Sequence, residues 1–267
     1  MPDSHAFPSS VAGFNRLPTE VKLKFCRGLI PPRLFTLLPS LPPSLKDESG
    51  QDLLQVKGTA GSSMVEVWLW HNLADRDPVF YIQLTDTANY RLQALLTVVN
   101  DISAPRFDVD VLADGTPTAF GTRYRNLPAE IAAKSAGLAP AQVRKGLNLM
   151  AEIVAGVGKL ASLMGDPIFF AEPLHYHNAI LLERHGFGYV QGKRKMLTLD
   201  ERFAPNGDLC ALLDGSSPFR QPEQAHTVRG RSWAIHDGIL GERFTDVVMF
   251  RRVDQPSHET TFSGSGW

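Results

Sequence analysis

The sequence contains few cysteines, and their placement argues against disulfides and metal clusters. Only two of the 267 residues are cysteines, Cys26 and Cys210. Neither lies in a Cys-x-x-Cys pair or in a Cys/His spacing that suits a metal ion. We therefore expect both thiols to be small buried groups rather than reactive ones, in a protein of a reducing compartment.

The sequence also lacks an excess of basic charge and any long apolar run. Lysine and arginine number 27 against 28 aspartates and glutamates, which gives a net charge of −1. Non-specific binding to nucleic acid needs a clear basic excess, so we expect no nucleic-acid partner. Apolar runs such as residues 95–99 are far shorter than the roughly 20 residues of a membrane-spanning helix, and residues 1–14 show no signal-peptide pattern. We expect a cytoplasmic protein with no membrane partner.

Several common motifs are absent as well. No Gly-x-x-x-x-Gly-Lys-Ser/Thr or Gly-x-Gly-x-x-Gly segment is present, so nucleotide binding by those loops is unsupported. No Gly-x-Ser-x-Gly elbow surrounds Ser216 or Ser217, and there is no internal repeat. What the chain does have is the composition of an ordinary globular protein, 43% hydrophobic and 21% charged.

The length of the chain favours one domain with additions at both ends. A chain of 267 residues buries about 70–75% of the surface that its unfolded form exposes, which is enough for a sizeable core. We predict a single domain over residues 1–267. Within it, residues 1–60 form an irregular or helical arm, residues 61–200 form the core, and residues 201–267 form a C-terminal extension.

Hydrophobic periodicity predicts the elements of the N-terminal half. We expect a helix over 18–29, a β-hairpin from strands over 64–71 and 79–84, a helix over 89–100 and a strand over 106–112. Asp108 and Asp110 share one face of the last strand. Three interpretations stay open for them: a cation site, pairing with Arg106, or the water-facing side of an edge strand.

In the C-terminal half the pattern alternates between helix and strand. Pro140 starts a long predicted helix that ends at about Met164. Gly156 and Gly158 inside it cost about 1 kcal/mol each, which close packing of another backbone would explain. The other predicted elements are helices over 128–136 and 177–185 and strands over 168–171, 188–192 with its continuation through residue 195, 232–235 and 244–251. The whole pattern predicts an α/β (α+β) fold with a mixed, mostly antiparallel central sheet flanked by helices.

Two segments of this half carry a resemblance to a known family. They are PAQVRKGLN, residues 140–148, and LLERHGF, residues 181–187. In their order of long helix, short strand, helix ending in Gly-Phe and strand, they resemble the C-terminal half of the GNAT superfamily of acetyltransferases, over about residues 140–190. The resemblance implies an acyl-CoA N-acyltransferase-like fold. In that family a Pro-x-x-Arg-Gly-x-Gly-x-Gly type loop cradles the pyrophosphate of coenzyme A, and the later segment packs beside the pantetheine arm.

The resemblance places the cofactor loop on six residues, with some departures from the family pattern. Val143 stands at the family's first loop arginine or glutamine, and Asn148 stands at its second loop glycine. Leu182 stands where the family often has a tyrosine that protonates the departing thiolate, and the segment before Pro140 has a helical pattern where the family has a strand. The implied cofactor-binding residues, with acetyl-CoA or another acyl-CoA as co-substrate, are Val143, Arg144, Lys145, Gly146, Leu147 and Asn148.

The chemistry of a helix N-terminus supports part of this assignment. Unpaired N–H groups and a partial positive charge at a helix start attract an anion such as a phosphate. Arg144 and Lys145 add charge there, and Gly146 allows a ligand to approach the backbone closely. The alternative is that residues 142–145 are only the solvated first turn of a surface helix.

The candidate catalytic residues are Glu172, His175, His177 and Tyr189. Glu172 follows the strand over 168–171, at the strand end where open α/β sheets bind ligands, and it suits a base that takes a proton from an amine. His175 and His177 compete for that role because the ordinary pKa of histidine lies nearer neutrality. Tyr176 or Tyr189 would supply the acid that Leu182 cannot. Each residue, taken alone, also has a purely structural interpretation.

Two further groups of polar residues are candidates for ligand binding, three histidines and two arginines. His175, His177 and His185 do not predict a metal site, because His177 and His185 would lie about 80° apart on a helix and no carboxylate has a zincin-like spacing. Near the C-terminus, Arg229 and Arg231 have the spacing to hold a phosphate or a carboxylate. They belong to a polar and aromatic run that consists of Arg229, Arg231, Trp233, His236 and Asp237.

The sequence therefore predicts a function in two alternatives. The first is a GNAT-like N-acyltransferase that moves an acyl group from acyl-CoA to the amine of a small-molecule substrate. The second is a non-catalytic module on the same fold that binds a small molecule or a protein. The acceptor, the acyl length and the oligomeric state stay open, a homodimer being one alternative.

Overall fold

The protein, described over residues 7–267 of a computed structural model, contains a mixed sheet. Its strands are β1 (Leu54–Lys57), β2 (Met64–Leu69), β3 (Phe80–Asp86), β4 (Leu92–Val99), β5 (Ile168–Ala171), β6 (Gly188–Gln191) and β7 (Val248–Arg252). The strand order is β1-β2-β3-β4-β5-β7-β6. Strands β1 to β4 pair antiparallel in succession, and β4 pairs parallel with β5. The predicted fold class, a mixed and mostly antiparallel sheet with flanking helices, is confirmed.

The helices include several of the predicted ones. They are α1 (Val11–Phe14), α2 (Thr19–Arg27), α3 (Leu34–Leu37), α4 (Leu127–Ser135), α5 (Met150–Leu163), α6 (Tyr176–Arg184), α7 (Lys193–Arg202), α8 (Asp208–Ala211) and α9 (Val228–His236), with a 3-10 helix at Pro222–His226. The helices predicted over 18–29, 128–136 and 177–185 and the strands predicted over 64–71, 79–84 and 168–171 occur within two residues of their expected bounds.

The chain divides into two compact units. The first unit contains the residues up to Ile102, Gly146–Glu172 and Phe250–Pro256, and the second contains Ser103–Lys145, Pro173–Met249 and Ser257–Trp267. Strands β1 to β5 and α5 belong to the first unit, and β6, α4, α6, α7 and α9 belong to the second. The expectation of a single domain over residues 1–267 stays a prediction, as does its division at residues 60 and 200.

An antiparallel hairpin forms the centre of the first unit. Along β2 the apolar residues Val65, Val67 and Leu69 are buried and alternate with the more exposed Glu66 and Trp68. This alternation has the period of a strand with one face in the core, so β2 forms as the sequence predicts. It pairs with β3 in register from Met64–Thr85 to Leu69–Phe80.

The predicted helix over 89–100 is wrong, because Leu92–Val99 form β4. The spacing of its leucines fits a helix, but Thr97, Val98 and Val99 are β-branched and favour a strand. The neighbouring strand β3 provides a ladder over the full length of β4, from Phe80–Val99 to Asp86–Leu92. Pairing with a distant strand is tertiary information that the local pattern does not contain.

The long helix predicted from Pro140 begins instead at Met150. Ala141 and Asn148 have left-handed φ angles of 64° and 54°, a conformation that interrupts a helix. Inside α5, a Cβ on Gly156 would lie 3.2 Å from the Gly28 carbonyl oxygen, so the predicted close backbone contact is confirmed there. At Gly158 the nearest atom belongs to the side chain of Val253, so the same expectation is wrong at this second glycine.

Three strand predictions in the second unit are wrong. Residues 106–112 are irregular, and Arg106 forms ion pairs with both Asp108 and Asp110, which is one of the three interpretations left open above. Residues 193–195 form the first turn of α7 rather than a continuation of β6. Residues 232–235 lie in α9, which starts where the Thr227 hydroxyl accepts a hydrogen bond from the Gly230 N–H at 2.9 Å. The strand predicted over 244–251 begins only at Val248.

Candidate functional site

Two parallel strands of the first unit pair over only two residues. β4 and β5 are joined at Gln93–Phe170 and Ala94–Ala171, and β5 ends there. β4 continues to Val99, and no further β4–β5 pair is present among residues 7–267. Backbone N–H and C=O groups without a strand partner are available to a ligand. We call this region the β4–β5 opening and define it by residues 95–99 and Glu172.

The β4 edge of this opening is apolar and bent. β4 is the fourth of seven strands, a position at which side chains are usually buried, yet every residue over 94–99 is only half-buried. A register shift between Gln83 and Leu84 of β3 leaves Leu95 as an extra residue of β4. Such a bulge bends the strand and turns its edge. The opening therefore offers a partly exposed apolar strand with free backbone groups.

The chain enters α5 beside the carboxyl end of β4. A Cβ placed on Gly146 would lie 3.6 Å from the Val99 carbonyl oxygen, so the backbone of this glycine passes close to β4. Leu149 precedes α5, and no side chain within the described part of the chain caps the first N–H groups of the helix. These groups attract an anion. Glu152 in the first turn opposes that attraction, and the Arg33 guanidinium, 3.4 Å away, offsets its charge.

The basic part of the predicted cofactor loop is not at a helix N-terminus. In the second unit, the Val143 carbonyl accepts a hydrogen bond from the Phe107 N–H at 2.8 Å. Arg144 donates to the Ala104 carbonyl at 2.5 Å, and Lys145 is exposed. The expectation that these three residues begin a helix is therefore wrong. The backbone of this segment is held by other loops instead.

The rest of the predicted loop belongs to the first unit. Gly146 and Leu147 are half-buried, and Asn148 is exposed with a left-handed φ of 54°. Asparagine tolerates this conformation better than most residues other than glycine. It therefore takes the place of a glycine in turning the chain into α5.

Glu172 lies where the sequence predicts it, directly after β5. It is exposed, and one of its carboxylate oxygens accepts a hydrogen bond from the Gln93 side-chain nitrogen at 3.0 Å. Gln93 is buried at the start of β4. This contact fixes the carboxylate at the edge of the β4–β5 opening while leaving its other oxygen available.

The predicted residues His175 and His177 lie in the second unit, in a cluster of three imidazoles. The His175 ring centre is 5.6 Å from that of His177 and 5.5 Å from that of His236. His177 Nδ1 lies 2.8 Å from Ser232 Oγ. His236 Nε2 lies 3.0 Å from a carboxylate oxygen of Glu130. The ring nitrogens of His175 make no hydrogen bond to any residue that the structure describes.

Burial keeps two of these imidazoles neutral. The pKa of His175 is lowered to about 4, mainly by burial and to a smaller extent by the neighbouring His236, and Glu130 opposes this lowering only weakly. Burial also holds the pKa of His177 well below its usual value, and His175 and Arg229 act in the same direction. A base with so low a pKa takes up protons poorly at neutral pH. The two histidines therefore lose the advantage in basicity that an ordinary imidazole has over a carboxylate, and Glu172 differs from them in being exposed and held by Gln93.

The tyrosines predicted as alternative acids both lie in the second unit, and the buried Tyr176 hydroxyl has no hydrogen-bond partner among the described residues. The Tyr189 hydroxyl donates to the Glu183 carboxylate, and burial and this bond raise the pKa of Tyr189. Tyr176 is fully buried, and burial raises its pKa to about 12. Neither hydroxyl is suited to protonating a leaving thiolate. Neither tyrosine therefore supplies the acid that is missing at Leu182.

Sequence reasoning missed an ionic network beside the imidazoles. Arg125 Nε lies 2.9 Å from a Glu130 carboxylate oxygen, and Arg125 also donates to Asp237 at 2.8 Å. Asp237 accepts further bonds from Ser217 and Arg220 at 2.8 and 3.0 Å. Arg125 and Glu130 are five residues apart, but Asp237 lies 112 residues from Arg125, so the only local signal of the network was the adjacent His236 and Asp237. The two adjacent residues contact different partners, as expected for neighbours on a helix.

Arg229 and Arg231 have opposite environments. The Arg231 guanidinium is buried, lies 2.5 Å from Asp200 and stacks 4.7 Å above the Phe262 ring. Arg229 is half-buried, and its Nε atom is buried without a hydrogen-bond partner among residues 7–267. Desolvation lowers the pKa of Arg229, and no carboxylate of those residues acts against it. The predicted joint use of both arginines is therefore wrong, since Arg231 already has its anion.

Within residues 7–267, no group of three or more histidine, cysteine, aspartate or glutamate side chains has the arrangement of a metal site. Over the same residues, no helix combines the length and the apolar character that crossing a bilayer requires. The predicted resemblance to the GNAT superfamily rests on the two sequence segments alone. A comparison with known proteins finds no protein-family model, no curated protein and no solved structure that matches this chain.

Proposed function

We propose that this protein is an acyl-CoA-dependent N-acyltransferase that uses the β4–β5 opening of its first unit. The observation that carries the proposal is a parallel strand pair that separates after two residues, next to the segment that leads into α5. An extended ligand with amide groups can use the free backbone edge of β4 as a strand would. The half-buried apolar residues over 95–99 supply the contact surface.

The uncapped start of α5 supplies the anion-binding end of this site. The N–H groups at the helix start and the close backbone of Gly146 suit the phosphates of coenzyme A. Arg33 compensates the carboxylate of Glu152, so the local charge does not repel an anion strongly. In this proposal the phosphates are bound by backbone N–H groups and the helix dipole, and not by an arginine side chain.

The chemistry assigned to the site is the attack of a neutral amine on a thioester carbonyl. The nitrogen forms an amide bond, the bond to sulfur breaks, and the thiolate leaves. Glu172 takes the proton that the amine must lose, and Gln93 holds the carboxylate in place for this transfer. Backbone N–H groups of the β4 edge stabilise the oxyanion. Water protonates the thiolate, because Leu182 has no acidic group.

Isothermal titration with acetyl-CoA, coenzyme A and longer acyl-CoAs tests the binding step. We expect saturable binding at one site per chain, and absence of heat with all of these ligands removes the proposal. Gly146→Ala is the matched variant, because its Cβ would have an ordinary 3.6 Å contact with the Val99 carbonyl oxygen and leaves the fold intact. We expect it to weaken acyl-CoA binding by about 10-fold or more through loss of close approach.

The second candidate is a module that binds acyl-CoA or a related ligand without catalysis. Three features favour it, because they leave the leaving group without a protein acid: Leu182 has no acidic group, the Tyr176 hydroxyl is buried, and the Tyr189 hydroxyl donates to Glu183. Thiol release in the presence of a panel of amines separates the two candidates. Release above the rate without protein supports transfer, whereas binding without release supports the module.

A further inference from the structure

The helix α9 presents three polar side chains along one face. Arg229, Ser232 and His236 are spaced by three and four residues, so they lie on the same side of this helix. Ser232 contacts His177 and the His236 ring lies 5.5 Å from that of His175, which shows that this face meets the start of α6. The second unit thus brings a cationic side chain and buried imidazoles together on two packed helices.

Of the two ionisable residues on this face, His236 lies beside Glu130, whereas Arg229 lacks a counter-charge among the described residues. Arg125, Arg220 and Arg231 of the same unit each have a carboxylate within 3.0 Å. Arg229 has no ion pair and no hydrogen bond among the described residues, and its Nε atom is buried. A partly desolvated cation without a partner costs stability, so a natural explanation is an anion that the protein binds.

His175 supplies a second, independent observation. Its side chain is 8% exposed, and its ring nitrogens make no hydrogen bond to any residue that the structure describes. These nitrogens are not among the fully buried polar atoms that lack a partner, so they keep a small contact with solvent through which a ligand reaches them. A ligand that offers oxygens satisfies both the imidazole and the guanidinium.

The surroundings of the cluster set the sign of the ligand's charge. Glu130 is shared by Arg125 and His236, which use both of its oxygens. Gly137, with a φ of 82°, lies against Arg229: a Cβ there would stand 3.7 Å from Nη1, so this residue places no side chain against the guanidinium. The groups left for a ligand are the Arg229 guanidinium and the imidazole nitrogens other than His177 Nδ1, which contacts Ser232, and His236 Nε2, which contacts Glu130. We propose that Arg229, His175 and His177 form a binding site for the oxyanion group of a ligand, a carboxylate or a phosphate.

This site goes beyond the acyltransferase proposal and does not depend on it, since every residue involved belongs to the second unit. Sulfate, inorganic phosphate and malonate serve as probes, each compared with sodium chloride at equal ionic strength. Thermal unfolding and isothermal titration report binding. We expect a saturable increase of the unfolding midpoint that chloride does not reproduce. A preference for sulfate and phosphate indicates a phosphate ligand, and a preference for malonate indicates a carboxylate ligand.

Arg229→Gln is the decisive variant, and Arg123→Gln, at an exposed arginine, is its control. We expect Arg229→Gln to lower oxyanion affinity by about 10-fold or more, the loss of a charge-assisted hydrogen bond, and Arg123→Gln to change it little. Without added anion, Arg229→Gln should unfold at the same or a higher temperature than the wild type. Ring carbon NMR signals of His175 and His177 should shift with sulfate and not with chloride.

Three results overturn the proposal. One is the absence of any saturable effect of the three probes beyond that of chloride. Another is an oxyanion effect that persists unchanged in Arg229→Gln. The third is a lower unfolding midpoint of Arg229→Gln without anion, which would show that the arginine has a structural role.

Discussion

At the scale of single residues, the local environment separates side chains that the sequence presents as equals. Glu172, His175 and His177 lie within six positions of one another and all qualify as bases by residue type. Glu172 is exposed and oriented by Gln93, whereas both imidazoles are buried and neutral. Burial disfavours the charged form of a base, and this desolvation distinguishes the three.

Removal of the carboxylate charge at Glu172 tests its proposed role. We expect Glu172→Gln to lower kcat for acyl transfer by about 100-fold or more, the contribution of a general base, while acyl-CoA affinity stays within about twofold. Glu48→Gln, at another exposed carboxylate, serves as the control. Equal loss of activity in both variants, or a loss of acyl-CoA binding in Glu172→Gln, would contradict the assignment.

The buried imidazole of His175 makes the stability of the fold depend on pH. Its pKa is lowered from 6.5 to about 4 in the folded state, so the unfolded chain binds the proton more tightly. Above about pH 6.5 the imidazole is neutral in both the folded and the unfolded state, and the free energy of unfolding is highest. As the pH falls from 6.5 toward 4, the unfolded chain takes up the proton first, and the free energy of unfolding decreases. The shift corresponds to about 3 kcal/mol.

Urea unfolding at several pH values between 7.5 and 4 measures this loss. We expect His175→Gln to show a flatter dependence of the unfolding free energy on pH than the wild type. His226→Gln, at an exposed histidine, should keep the dependence of the wild type. Parallel curves for the wild type and His175→Gln would rule out a neutral buried His175.

At the scale of elements, α5 shows how one helix accommodates two different neighbours. Gly156 faces the backbone of the chain just after α2, with a Cβ position 3.2 Å from the Gly28 carbonyl oxygen and 3.3 Å from Leu29 Cα. Gly158 faces the end of the Val253 side chain at 3.2 Å. Backbone cannot move as easily as a side-chain tip, so the two glycines are not equivalent.

Alanine at each of these glycines has an opposite expected effect. Gly156→Ala should lower the unfolding free energy by about 1–3 kcal/mol because a rigid backbone is overpacked. Gly158→Ala should be neutral or stabilising by up to about 1 kcal/mol, since alanine favours the helix and Val253 can shift. Urea unfolding of both variants measures the difference. Similar destabilisation at both positions would contradict the packing described for α5.

At the scale of the whole molecule, each compact unit carries one cysteine. Cys26 in the first unit is buried, and burial raises its pKa to about 12 despite the opposing charge of Lys22. Cys210 in the second unit is partly exposed. The two thiols therefore report separately on the opening of the two units.

Alkylation followed by mass spectrometry uses this difference. We expect iodoacetamide to modify Cys210 in the folded protein and Cys26 only when the first unit opens. An acyl-CoA at 100 times its Kd should slow the modification of Cys26 by about 100-fold, because it binds the folded unit alone. If iodoacetamide modifies Cys26 as fast in the folded protein as in denaturant, Cys26 is not buried in the folded protein. An unchanged Cys26 rate at saturating acyl-CoA would count against binding in the first unit.

Local sequence patterns predicted the helices and strands that bury one face in the core. The alternation of Val65, Val67 and Leu69 predicted β2, and the Gly186 stop predicted the end of α6. Both features depend on residues within a few positions, as do burial periodicity and turn chemistry. The fold class followed from the order of such elements, and so did the position of Glu172 after β5.

Tertiary structure alone decided the features that depend on distant partners. β4 is a strand because β3 pairs with it, and α5 starts at Met150 because the preceding segment bonds to other loops. The lowered pKa values of His175 and Arg229 follow from burial among residues far away in the sequence. Hydrogen-bond pairing and desolvation depend on residues that are close in space but distant in sequence, so neither produces a periodic sequence pattern.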